Sequence, residues 1–231
     1  MTGTTGTAIP QRASAAGARS VRRAGGACIA GAVIQAVSGV VTQVVAASTD
    51  VSDEVGSYPW TGSAFTTVSL IWGAGQVLLL IGVLGLRRSG ATGPTGAARA
   101  GLTAAVIGTA LILVGQLASI PVANDALDDT GPQFLGGVFG LGSVFTAVGM
   151  VLAGITALRT GRWTGWRRYT VLAVGVATVA LVALQFTPAL SLGVVIYALA
   201  FFAVGVALLT DAADQVRASV PAGGAAAATG R

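Results

Sequence analysis

Apolar residues in this chain come in long runs that are apolar on every side. Val77-Leu78-Leu79-Leu80-Ile81 is typical. Crossing the hydrocarbon core of a bilayer, about 30 Å thick, takes about 20 helical residues, and six uncharged stretches are of roughly that length. They are Ala27–Ala47, Phe65–Leu86, Gly101–Val122, Phe134–Leu158, Thr170–Phe186 and Ser191–Leu209, none containing Asp, Glu, Lys or Arg. A transmembrane β-barrel would instead show segments of about ten residues with alternating polarity. The pattern therefore predicts an all-α integral membrane protein, with six transmembrane helices in three hairpins forming a compact bundle.

The predicted transmembrane domain covers residues 25–211. Residues 1–24 and 212–231 are rich in Gly, Ala, Ser and Thr with few large apolar side chains, and are expected to be disordered tails. Thr187-Pro188-Ala189 leaves only a tight turn between spans five and six. Composition agrees with the membrane assignment, because 54% apolar residues, 9% charged residues and a mean hydropathy of +0.81 lie far from the soluble average.

Charge adds an orientation. All thirteen basic residues are arginines, and they fall before span one, between two and three, between four and five, and after six. Basic residues in short loops are retained on the cytoplasmic side, so both termini are expected there. Six of the eight acids, Asp50, Asp53, Glu54, Asp125, Asp128 and Asp129, then fall outside, leaving Asp211 and Asp214 inside. The run before Ala47 is too long for a secretion-signal core, so span one reads as an anchor. Arginine without lysine is the usage of a GC-rich genome and points to a bacterial inner membrane. The positive charge is dispersed among loops that flank spans, which argues against nucleic acid as a partner.

Much chemistry is excluded. Without histidine or lysine there is no material for imidazole acid–base catalysis, a Walker A loop or a Schiff base. Cys28 has no second cysteine to pair with, so no disulfide or thiolate cluster can form within the chain. No carboxylate occurs within a span, which weakens a proton-coupled mechanism. No catalytic residue, metal or cofactor is expected, and the protein is not expected to be an enzyme.

Three sets of residues remain as candidates. Gln35 with Thr42, Thr109 with Gln116, and Thr178 with Gln185 are each seven apart on one helix face, with Ser38 and Ser119 alongside. Lipid cannot satisfy an amide, so these form either interhelical hydrogen bonds or a solute-lining seam. The loops Asp50-Val51-Ser52-Asp53-Glu54-Val55-Gly56 and Asp125-Ala126-Leu127-Asp128-Asp129-Thr130-Gly131 share one pattern, followed by Trp60 or Phe134. This predicts that spans one–two and three–four are repeated hairpins. The acids either keep exposed loops soluble or form an outer patch for a cation or cationic ligand. Arg162, Trp163, Trp166, Arg167 and Arg168 form an arginine–aromatic loop expected to anchor at the lipid interface, where it could hold a lipid phosphate.

Small residues four apart, at Gly136 and Gly140, Ala104 and Gly108, Ser69 and Gly73, Ala173 and Ala177, and Ala203 and Ala207, support close helix packing. On sequence alone the leading function is a non-enzymatic membrane component. It would act through helix packing and contacts with the lipid bilayer, another membrane protein or a second copy. The alternative is a small permease or channel for a neutral or cationic solute.

Overall fold

The computed structural model describes residues 9–185, 187 and 189–218. Six helices follow one another, α1 (Ile9–Ala46), α2 (Gly62–Ser89), α3 (Gly96–Ala118), α4 (Thr130–Thr160), α5 (Arg167–Leu184) and α6 (Leu190–Ala218). All six are long and apolar enough to cross a membrane. No strand occurs among the described residues, only an isolated antiparallel bridge between Val55 and Ala126.

Helix ends follow local chemistry. Thr95 Oγ1 accepts a hydrogen bond from Ala98 N at 3.1 Å and so caps the start of α3. α2 and α4 both finish on arginine and then on a left-handed glycine, Gly90 at φ 67° and Gly161 at φ 63°, a conformation that costs any other residue more. Because successive helices run antiparallel, every described arginine lies at one end of the bundle. Asp50, Asp53, Glu54, Asp125, Asp128 and Asp129 lie at the other.

The helices close into a ring. Each packs on its chain neighbours, α6 returns to α1, and α2 with α6 is the one further pair in contact among the described residues. Glycines set the tight crossings. A Cβ on Gly108 would lie 2.5 Å from Gly142 O, and one on Gly149 would lie 2.5 Å from Gly101 O, so α3 and α4 meet backbone to backbone. Gly31 against Gly75 and Gly25 against Gly205 do the same for α1 with α2 and α1 with α6. Of the predicted small-residue pairs, Gly108 and Gly73 do sit in contacts, whereas Gly136 and Gly140 have nothing within 4 Å. Spacing identifies residues small enough for a crossing, but only the ring decides which face meets a neighbour.

The structure corrects the expected tails. Residues 9–24 belong to α1 and residues 212–218 to α6. Ala18, Val21 and Ala24 are buried, as is Ala212, because these extensions pack on other helices beyond the apolar spans. Alanines, read from composition as marks of disorder, are the side chains these extensions bury. Residues 1–8 and 219–231 lie outside the described residues.

The two halves of the ring are filled differently. Toward the arginine end the interior is solid, with Leu79, Leu86, Met150, Val171, Val174, Phe201 and Leu208 fully buried around Trp163. Toward the acidic end it is open.

Candidate functional site

The acidic loops do come together, but through their backbones. Gly56 N donates to Asp125 O at 3.0 Å and Leu127 N to Glu54 O at 2.8 Å, either side of the Val55–Ala126 bridge. Asp50, Asp53, Glu54, Asp125, Asp128 and Asp129 are all exposed. Asp129 Oδ2 is occupied in accepting from Ala126 N at 3.1 Å. No group of three acidic, histidine or cysteine side chains is placed to hold a metal among the described residues. The arrangement is a clamp between two loops.

The arginine–aromatic loop divides. Trp163 is not an interfacial anchor: it is 2% exposed, inserted into the core at the arginine end. Its Nε1 points toward Asp211, near enough to favour the ionised carboxylate but outside good hydrogen-bond geometry. Burial wins because the indole packs into the hydrophobic core cluster with residues of several helices. Arg167 donates to Asp214 at 2.9 Å, Arg168 stacks on the Tyr169 ring, and Arg162 lies beside Gly90. Trp166 remains half exposed, as an interfacial residue would be.

The polar seam also divides, and along chemical lines. Thr109 and Thr178 are fully buried, and each donates to the carbonyl four residues earlier on its own helix, Ala105 O and Val174 O, both at 2.7 Å. A hydroxyl can satisfy itself in this way. Thr42 Oγ1 is buried without a partner. A glutamine amide is too long to bond its own backbone comfortably, and Gln35, Gln116 and Gln185 instead reach into a shared space.

That space is a cavity of about 680 Å³ to which all six helices contribute. Five of the chain's eight glutamines line it, Gln35, Gln76, Gln116, Gln133 and Gln185, with Trp72, Ser143 and Tyr197 among them. Ile112, Phe139, Leu181, Leu190 and Val194 supply apolar wall, and no acid or arginine takes part. Gln133 and Gln185 sit at the acidic end of their helices, whereas Gln76 lies fourteen residues, about 21 Å, into α2. The cavity thus runs from the acidic end toward the middle of the bundle and stops at the packed half.

One hydrogen-bond chain fixes the chemistry of its floor. Gln35 Nε2 donates to Trp72 O at 3.1 Å and to Gln76 Oε1 at 3.2 Å. A backbone carbonyl can only accept, so the Gln35 amide has one orientation, and Gln76 must turn its oxygen toward it. Gln76 Nε2 is left facing the Tyr197 hydroxyl without a well-formed hydrogen bond to it; both are buried, and Trp72 Nε1 is buried with no partner. Gln76 is 3% exposed and Tyr197 4%. Nearer the mouth, Gln116 Nε2 donates to Ser69 Oγ at 3.1 Å and Gln133 Nε2 to Asp128 O at 2.9 Å.

Sequence reasoning missed Gln76, Trp72, Gln133, Ser143 and Tyr197. A signal existed for one of them: Gln76 is a lone amide in the middle of an otherwise hydrocarbon run, and such a group must face the interior. Its companion seven residues earlier is Ser69, read from the sequence only as a small packing residue, so this stripe was passed over. Comparison with known proteins gives no further guide, because no family model matches the chain and no curated protein or solved structure is significantly similar to it.

Proposed function

We propose that this multi-pass membrane protein is a non-enzymatic carrier. In this reading it takes a neutral small molecule, bearing carbonyl or other acceptor oxygens on an apolar body, into the glutamine-lined cavity. The observation that carries it is the set of unpartnered donors, Gln76 Nε2 and Trp72 Nε1 with the Tyr197 hydroxyl, buried against the same large cavity. Buried polar groups are normally satisfied, and an unsatisfied one costs about 1–3 kcal/mol. A ligand supplying acceptors recovers that free energy by drawing these side chains round into the cavity. Ligand sites are typically such clefts of a few hundred Å³, mostly apolar with a few convergent polar groups.

The same features narrow the alternatives. A cationic solute would find no carboxylate in the cavity. An open channel would need a continuous path, whereas Trp163, Met150, Leu79 and Phe201 fill the other half. A cavity open toward one end and packed at the other fits one state of an alternating-access cycle. By the arginine distribution, the packed end would face the cytoplasm of a bacterium and the cavity would face outward. The partner-contact role favoured by sequence alone has no comparable feature behind it.

The test is a thermal-shift screen of the purified protein against neutral solutes graded by number of acceptor oxygens, followed by flux of any hit in proteoliposomes. Stabilisation that is lost in Gln76→Leu and reduced in Tyr197→Phe supports the carrier. Equal stabilisation in wild type and both variants rejects the cavity as its site.

A further inference from the structure

A second concave site lies at the opposite, arginine-bearing end, on the outside of the ring between α1 and α2. Arg19, Ser20, Arg23 and Ala27 fall on one face of α1, at spacings of three, four and seven residues. From α2, Ile81 and Arg88 are two turns apart and line the same groove. The two helices are locked together below it, where a Cβ on Gly82 or Gly85 would collide with Cys28 or Ala24. The small residues that allow this crossing also leave the groove about 630 Å³.

Its chemistry is one-sided. Three guanidinium groups from two helices border it, and no acidic side chain among the described residues lines it. Arg88 Nη1 donates to Ser20 Oγ at 3.3 Å, which positions that guanidinium and leaves the hydroxyl hydrogen of Ser20 free to donate. Guanidinium forks match phosphate oxygens in number and geometry. Basic pockets between transmembrane helices are suited to anionic lipid headgroups.

The polarity along the groove selects among phosphates. α1 starts and α2 finishes at the arginine end, so Arg19, Arg23 and Arg88 lie at the rim and Ala27 and Ile81 lie deeper along the spans. Charge at the rim and hydrocarbon further in is the polarity of a phospholipid standing in the same leaflet. Ile81 is 39% exposed, an apolar wall open to an acyl chain.

We propose that the α1–α2 groove is a binding site for one anionic phospholipid, its phosphate held by Arg19, Arg23, Arg88 and Ser20 and its acyl chain lying over Ala27 and Ile81. This assignment is independent of the solute cavity. It is a separate place from the arginine–aromatic loop of residues 162–168.

The experiment is native mass spectrometry of protein released from nanodiscs of phosphatidylcholine, with and without phosphatidylglycerol. Three variants accompany wild type: Arg19→Gln/Arg23→Gln/Arg88→Gln, the single Arg88→Gln, and a charge-matched control, Arg99→Gln/Arg159→Gln/Arg217→Gln. Each arginine near the surface contributes about fivefold to anionic-lipid affinity, so the groove triple should bind on the order of a hundredfold more weakly. Wild type and the control triple are expected to retain one phosphatidylglycerol and Arg88→Gln to retain it more weakly. Helix content by circular dichroism checks that all variants fold. Equal retention in both triples overturns the site, and equal loss reduces it to general surface charge. Titration of inorganic phosphate in neutral detergent separates the sources. Stabilisation of wild type by phosphate alone, matching that by the lipid, overturns the lipid assignment in favour of a free anion.

Discussion

Replacing Gln76 by leucine separates a site held for a ligand from a polar group held for the fold. The change removes an unpartnered donor, Gln76 Nε2, and the acceptor for one of two hydrogen bonds from Gln35, which keeps Trp72 O. The lost amide–amide bond is worth about 0.6 kcal/mol in a membrane interior, up to 1–2. The buried donor costs about 1–3 kcal/mol when nothing meets it. Gln76 Nε2 has essentially no accessible surface, so cavity water does not reach it, and the neighbouring Tyr197 hydroxyl offsets part of that cost. These terms nearly cancel. The ligand-free variant should match wild type within about 1 kcal/mol by reversible unfolding in detergent or bilayer, while affinity for a cavity ligand falls by about 2- to 13-fold, the equivalent of one lost hydrogen bond. Leu79→Ala, three residues further along the same helix but in the packed half, should cost about 2–5 kcal/mol. If Gln76→Leu destabilises the empty protein as much as Leu79→Ala does, the amide is structural and the argument from unpartnered donors fails.

Other consequences follow from the same geometry. Gly108→Ala should lower stability by about 1–3 kcal/mol, because its Cβ would sit 2.5 Å from the backbone of Gly142 and Thr146; Gly140→Ala, with open space around it, should leave thermal unfolding unchanged or slightly raise it. Cys28 is fully buried and donates to Phe201 O at 3.3 Å, so a maleimide should label it only at the rate of unfolding, a rate that rises with denaturant; rapid labelling of the native protein would contradict the α1–α6 packing. Millimolar calcium or magnesium should leave the melting temperature unchanged, since the six acids of the paired loops are exposed and converge on no common point.

How far the sequence reaches can be judged residue by residue. Six spans, their antiparallel order and the collection of arginine at one end follow from run length and charge, because a bilayer imposes those requirements on any chain. Gln35, Gln116 and Gln185 were recognisable as interior groups for a related reason, since an amide has no partner in lipid. The same reasoning could not tell that Thr109 and Thr178 would turn back to their own helices, a choice set by side-chain length and by what faces them across the ring. Trp163 resembled an interfacial anchor because its neighbours in sequence do, and it is buried because the α4–α5 loop folds over the end of the bundle.

Sequence by itself therefore determined that the chain enters a membrane, how many times it crosses, and which chemistries it lacks. Tertiary structure alone decided how the interior is shaped. Closing six helices into a ring brings five glutamines, widely separated in sequence, to one cavity while filling the other half with hydrocarbon. The physical reason is that membrane insertion depends on composition summed along each helix, whereas a binding site depends on the direction in which a few side chains point after packing.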